Sequence, residues 1–404
     1  MEKGLDHYKS LAGSVPESEL RLSSDIMTTE QFQELDTRQE EFLIEASLAF
    51  PVLKADQDLK KFASSHLDPR FKKGDRQFCA AGSSRNGKLL WQLQDDYRLG
   101  NANTCAERFL LDEADTTGET LDSITVYRGE NISITDNTLH TLKENGGENH
   151  ITEKPTMRHM VGPCAYCREG VCRHNQTAMI IMPPGILSRD KTSIKLPAFL
   201  TYPQEDLFEE NDPLKEKLTQ SGTPELLEAR IKQKEFFKEI AKKYPVTDAD
   251  RALLNEAYQD LARQPATDDP YMLIRALTIT NQPVEVSGIV PPPQDPKHQS
   301  YLDYPRNPVE VRFVHELLEQ PPFPSSSKRR AGSPHSLHTF LELYREPGQN
   351  DPKLLLPNAD TRQRMVERFQ RSFILVSLDG EIVKLPLILF YPNRYKRLDK
   401  TDRV

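Results

Sequence analysis

"KLPAFLTYP", residues 195–203, returns as "KLPLILFYP" at residues 384–392, and that return decides the fold. Two further pairs keep the same order. "TAMIIMPPG" (177–185) matches "SFILVSLDG" (372–380), an offset of 195. "CAERFLLDEA" from Cys105 matches "VEVRFVHELL" from Val309, keeping Arg108-Phe109 against Arg312-Phe313. Three ordered matches predict a domain and its copy related by a pseudo-twofold. The length agrees, since 404 residues exceed what one hydrophobic core usually serves. The predicted layout is a helical arm over 1–56, a first domain over 57–210, a helical linker over 211–250 and a copy of the first domain over 251–404.

Composition bounds the partners. Hydrophobic content of 37% and charged content of 28% describe an ordinary soluble protein. A net charge of -8 weighs against nucleic acid as the partner, because phosphate-backbone binders are usually basic. No apolar run approaches the ~20 residues of a membrane span. "MEKGLDHYKS" lacks the apolar core of a secretory signal. Five cysteines, an odd number, fit a reducing, cytoplasmic setting better than a disulfide framework.

Local patterns supply the elements. "TTEQFQELDTRQEEFLIEASLAF" has helical apolar spacing and capping threonines at 28 and 29. Asn86-Gly87 between two apolar runs predicts a hairpin, both residues tolerating positive φ. A helix from about 104 to 114, a strand "SITVYRG", a polar loop to about Val161, a helix "CAYCREGVCRH" and a strand "TAMIIM" follow. "LPAFLTYP" reads as an irregular close, and 212–262 as two helical pieces divided near Pro245. "QPPFPSSSKRRAGSPHS" (320–336) reads as a loop.

Two stretches carry chemistry. "NANTCAERFLL" (101–111) puts Cys105 two residues before Glu107 at a helix start. "GPCAYCREG" (162–170) puts Cys164 and Cys167 three apart on the first turn of a helix opened by Pro163. Helix N-termini favour thiolates. Three thiolates on one zinc leave a fourth position open for water. Glu107 would stand beside that water without coordinating and carry its proton. A structural site with Cys172 as fourth ligand is the rival, but Cys172 lies about 7.5 Å further along the helix from Cys167.

C-x-E followed by P-C-x-x-C is the pattern of zinc nucleobase deaminases, here with cysteine as the first ligand. With Phe78 in "FCAAG", Asn86-Gly87, "CAER" (105–108), "PCAYCR" (163–168) and "LPAFLTYPQEDL" (196–207), the chain resembles the cytidine deaminases that act on free nucleosides. The resemblance is specific over 57–207 and looser over 251–392. It implies an α/β fold: a three-layer α-β-α mixed sheet, duplicated, with an N-terminal helical segment. It implies one Zn2+ per chain on Cys105, Cys164 and Cys167, a homodimer, and a small cytosine nucleoside as substrate. The implied reaction is hydrolytic loss of the 4-amino group, zinc-bound hydroxide attacking C4 while Glu107 shuttles the proton. Arg108 is implied to bond the ligand sulfurs, with Pro163 beside them. Phe78 is implied to stack on the base, and Ala106, Gln94 and Asp96 to contact substrate.

Departures qualify the resemblance. Gln94 and Asp96 stand where the family has Asn and Glu for ribose, moving those contacts by about one methylene; hydroxyl-binding sites are sensitive to such shifts. Fifty-eight residues separate Cys105 from Cys164, with an excess over roughly 132–158 near the site mouth. In the copy, the ligand positions fall on Val309, Ala359 and Arg362 and the glutamate position on Val311, so that copy is expected to hold no zinc. His159, His174, Cys79, Asp95, Asp112 and Glu113 are read as packing or surface residues. The alternatives are a deaminase of a modified nucleoside, a nucleotide or nucleic-acid cytosine, and a non-catalytic zinc-binding scaffold.

Overall fold

The computed structural model describes residues 27–67, 76–95, 105–131, 156–183, 193–264, 269–278, 283–290, 309–310, 312–313, 337–346, 348, 352–369 and 371–390. Helix α1 (Thr29–Ser47) opens on Thr28, whose hydroxyl accepts the Gln31 N–H while the Gln31 side chain accepts the Thr28 N–H. Helix α2 (Lys54–Ser65) follows, with Asp56 accepting the Leu53 N–H. Strands β1 (Arg76–Ser84) and β2 (Leu89–Asp95) form the predicted hairpin. Only Gly87 takes positive φ (79°) in its turn, so the glycine alone supplies the left-handed residue.

The first sheet then gains β3 (Leu121–Asn131), β5 (Met179–Met182) and β6 (Ile194–Pro197), in the order β2-β1-β3-β5-β6. Helices α3 (Ala106–Thr116) and α4 (Ala165–His174) connect them, and the short α5 (Ala198–Thr201) closes the unit. Two segments differ from their sequence reading. The loop expected to reach Val161 instead ends in β4 (Thr156–Val161), antiparallel to Val126–Asn131 of β3, where it covers an otherwise open strand edge. The close expected to be irregular is β6 running directly into α5, because Lys195–Pro197 pair with Met179–Ile181. Of the predicted excess, 132–155 lie outside the described residues.

The linker region forms three helices rather than two pieces: α6 (Pro213–Ser221), α7 (Pro224–Lys243) and α8 (Asp248–Arg263). Gly222 at φ 68° stops α6 two residues before Pro224 starts α7. Strands β7 (Tyr271–Thr278), β8 (Pro283–Ile289), β9 (Leu337–Arg345), β11 (Phe373–Leu378) and β12 (Glu381–Pro386) build the second sheet, with helix α9 (Ala359–Arg368) before β11. Its order is β8-β7-β9-β11-β12, with β10 (Lys353–Leu354) beside β9 as β4 lies beside β3. Even the register break recurs, between Ser83 and Ser84 in β1 and between Leu277 and Thr278 in β7.

Pairing corrects the sequence register of the copy by one residue. Met179 faces Pro197 and Ser123, and Phe373 faces Pro386 and Thr339. Met179 and Phe373 are therefore counterparts, an offset of 194, whereas apolar matching predicts 195. A slip of one would turn every side chain to the opposite face. The ion pairs agree. Asp56 near the start of α2 meets Lys195 at 2.9 Å, and Asp250 near the start of α8 meets Lys384 at 2.8 Å.

Each sheet carries helices on both faces. Cys79, Ala81 and Tyr127 pack with Leu59 and Ala63 of α2, and Leu273, Leu341 and Leu375 with Leu253 and Ala257 of α8. The other faces share one continuous core running through α3, α4, α7 and α9. Phe208, Phe237 and Phe390 meet within it, ring centroids 5.3–5.6 Å apart. Helix α1 spans this seam, stacking Phe42 on Phe236 at 4.6 Å and donating from Gln39 to the Leu389 carbonyl. The chain is thus a duplicated three-layer α/β fold with a helical N-terminal segment. Among the described residues, no helix is long and apolar enough to cross a membrane.

Candidate metal centre

Cys105 and Cys164 are the N-cap residues of α3 and α4, each extended (φ -70°, ψ 147° and φ -65°, ψ 167°) and neither using its side chain as a cap. Their sulfurs are free to project beyond two helix N-termini that meet. Cys167, one turn into α4, completes a group whose sulfurs all lie within 4.8 Å of one another, Cys164 and Cys167 being 3.3 Å apart. Thiolates about 2.3 Å from a tetrahedral zinc stand roughly 3.8 Å apart, so the spacing suits one ion.

Electrostatics point the same way. The Cys164 thiol is pulled well below its ordinary range, first by hydrogen bonding with Cys105 and then with Cys167. Cys105 is pushed up chiefly by its hydrogen bond with Cys164, against the opposite effect of Cys167, and Cys167 is pushed up chiefly by its hydrogen bonds with Cys105 and then Cys164. Of the three clustered thiols, only that of Cys164 is favoured as a thiolate by its neighbours alone. A soft divalent cation lets all three ionise, and the donor set therefore fits zinc. Cys164→Ser is expected to drop bound zinc from one ion per chain to a small fraction, by elemental analysis of the folded protein, because a hydroxyl does not ionise as a thiol does.

Glu107 sits on the first turn of α3, 6% exposed. Burial, and then the charge at Cys164, raise its carboxyl to about 7, although it hydrogen-bonds Cys167. An acid of that strength can give or take a proton near neutrality. Ala106 is fully buried beside it. Arg108 is buried with its guanidinium 4.3 Å over the Tyr166 ring, between the two cysteines of α4. Pro163 is buried, and its carbonyl accepts from Arg168 Nε at 2.9 Å.

Phe78 and Gln94 face each other across the β1–β2 ladder. They share the sheet face of Ala80 and of Gln92, whose side chain donates to Glu113 of α3. That is the face bearing the cysteine helices. The Arg128 guanidinium lies 5.8 Å from the Phe78 ring. Asp96 lies outside the described residues. His174 is committed elsewhere, 2.7 Å from Asp115 and accepting the Leu121 N–H. His159 belongs to β4, paired with Arg128. Cys79 is buried, its thiol pushed up to about 12 by burial, and Cys172 is buried in α4 and likewise raised.

The copy has different residues at its counterpart site from those its sequence alignment predicts. Asn358 is the N-cap of α9 as Cys164 is of α4, and Arg362 donates to the Pro357 carbonyl as Arg168 does to that of Pro163. The cysteine positions therefore fall on Asn358 and Thr361, not Ala359 and Arg362. Glu310, rather than Val311, takes the glutamate's place. It is 3% exposed, accepts the Asn358 N–H and bonds the Thr361 side chain, as Glu107 bonds Cys167. The invariant spacing of Pro and Arg in "PCAYCR" and "PNADTR" was the available signal.

Glu310 is raised to about 8, above all by burial. Glu342 of β9, 1% exposed and with Oε2 lacking a partner among the described residues, is also raised, by burial and then by Glu310. Both folded values exceed the ordinary 4.5, so the folded state binds more protons and stability falls as pH rises from 4.5 through about 8. Glu342→Gln should flatten that decline in urea midpoints.

No protein-family model and no curated protein matches the chain. Among solved structures it is similar to the cytidine deaminase from Bacillus anthracis, with 14% identity and a TM-score of 0.25, over 35% of this chain and 83% of that one.

Proposed function

We propose that the chain is a zinc-dependent hydrolase that removes the 4-amino group of a cytosine nucleoside and releases ammonia. One observation carries the reading: three sulfurs converge within 4.8 Å, with a buried acid poised near neutral pH beside them. Three protein ligands rather than four favour chemistry over mere cross-linking. The ion, when bound, supplies Lewis acidity that brings the pKa of a water to about 7.

The chain's own residues do the rest. Cys105, Cys164 and Cys167 hold the ion. Glu107 takes the proton that the water must lose and gives it to the ring nitrogen, then takes the remaining proton from the hydroxyl added at C4 and gives it to the departing amine; one carboxyl serves both steps because its affinity for protons is near the working pH. Phe78 and Gln94, on the same sheet face, are the residues we assign to the base and sugar, together with Asp96. The first half is the catalytic domain. The second is a zinc-free copy, since Asn358 and Thr361 offer no thiolates. A cytoplasmic homodimer is the assembly this reading favours.

The direct test is ammonia release from cytidine, deoxycytidine, cytidine monophosphate and a cytosine-containing oligonucleotide by the zinc-loaded protein. Turnover of the free nucleosides supports the proposal. Turnover of the oligonucleotide alone overturns the nucleoside assignment, and none with any substrate favours a scaffold.

A further inference from the structure

Arg168 and Arg362 occupy the same place in the two halves and close on the same short segment. Arg168 reaches the Thr201 carbonyl with Nη1 at 3.2 Å. Arg362 crosses between the halves, donating from Nη1 to the Pro203 carbonyl at 2.5 Å, its guanidinium 4.5 Å over the Tyr202 ring. The segment 201–203 is therefore held by one arginine from each copy. The first half grips the second in return. The Glu169 carboxylate accepts the Ala359 N–H, and that of Glu205 accepts the Leu356 N–H. Both arginines are buried, at 2% and 4% exposure. A buried carbonyl that loses its donor is costly, so neither bond is dispensable.

We propose that Arg362 is a positioning residue for the three-cysteine centre, and this rests on reading that centre as a metal site. The connection is continuous. Arg362 fixes Tyr202 and Pro203, the adjacent Thr201 carbonyl fixes Arg168, and Arg168 Nε fixes the Pro163 carbonyl one residue before Cys164. The half that lacks the cysteines thus sets the entry of the helix that carries two of them. Lysine cannot replace the fork, because Arg362 serves Pro357 and Pro203 with two differently directed N–H groups.

The test is Co2+ titration of the full chain, following the thiolate-to-cobalt absorption. Arg362→Ala and Arg362→Lys are expected to change the band and weaken Co2+ binding by about tenfold, the lower end of what residues supporting metal ligands contribute. Added guanidinium should restore the alanine variant. Arg345 is the matched control, a buried arginine of the second half that binds the Leu261 and Gln264 carbonyls at the end of α8. Arg345→Ala should lower the unfolding midpoint and leave the band and affinity unchanged. If Arg362→Ala does not fold, Arg362→Lys decides. Wild-type spectra and affinity in the Arg362 variants, or an equal change in Arg345→Ala, overturn the proposal. A wild-type protein with no cobalt–thiolate band overturns the metal reading and this proposal together.

Discussion

Glu107→Gln is expected to lower turnover of the cytosine nucleoside by about 10²- to 10⁴-fold while zinc stays at one ion per chain, the range typical of a lost general acid–base. The amide matches the acid in size, and its N–H can donate to the sulfur of Cys167, which lies within hydrogen-bonding reach of the wild-type side chain. It cannot carry a proton. Packing around α3 should be preserved, since Leu110, Leu111 and Ala114 anchor the helix in the core independently of Glu107. The variant removes a burial penalty as well, so its unfolding midpoint should equal or exceed the wild type's. Loss of zinc in the variant would instead make Glu107 a ligand or a structural brace, and undiminished turnover would remove it from the chemistry.

Lys384→Met is expected to destabilise the protein by about 3–5 kcal/mol, the usual cost of leaving half of a buried ion pair. Lys384 and Asp250 are 3% and 0% exposed, and the ammonium also lies 4.8 Å over the Phe373 ring. Without it, Asp250 keeps only its bonds to Thr247. The pH dependence should weaken. Burial pushes the Asp250 carboxyl up, but the Lys384 and Thr247 bonds outweigh it and hold the carboxyl below its ordinary 3.8. Its contribution is present above pH 3.8 and is lost as pH falls through the lower folded value. In Lys384→Met only the Thr247 bonds still oppose burial, so the carboxyl should rise and the loss of stability on acidification should shrink. Adding Asp250→Asn should recover much of the loss, because removing both charges leaves no unpaired ion. Urea midpoints across pH decide this, and a loss below about 1 kcal/mol, the scale of an exposed pair, would show that the pair is hydrated.

The parts of the fold legible in sequence were those with one dominant local cause. Thr28 caps α1, which begins at Thr29, Gly87 turns the hairpin, and Pro163 with two cysteines three apart marks a helix start. The convergence of Cys105 on that helix was legible because the chemistry of three thiols and an acid admits few arrangements. The copy's register was not. Strand β11 is buried on both faces at Phe373–Val376, so any one-residue slide matches apolar with apolar equally well. What marks the register is the long-range pair of Asp250 with Lys384, together with the local bond from Arg362 to the Pro357 carbonyl. Strand β4 was missed because its partner is the far half of a long β3, and edge pairing of that kind leaves little periodic signal. Glu310 was missed by a separate one-residue slip, because aligning Arg312-Phe313 with Arg108-Phe109 placed Val311 at the glutamate position.

The reading stands or falls on what surrounds the zinc. X-ray absorption at the zinc K-edge of the purified full chain counts the scatterers directly. Three sulfurs and one oxygen or nitrogen, with an added sulfur-free ligand on exposure to a nucleoside analogue, is the predicted shell. Four sulfurs would mean a closed structural site, and fewer than three would mean that Cys105, Cys164 and Cys167 do not act together.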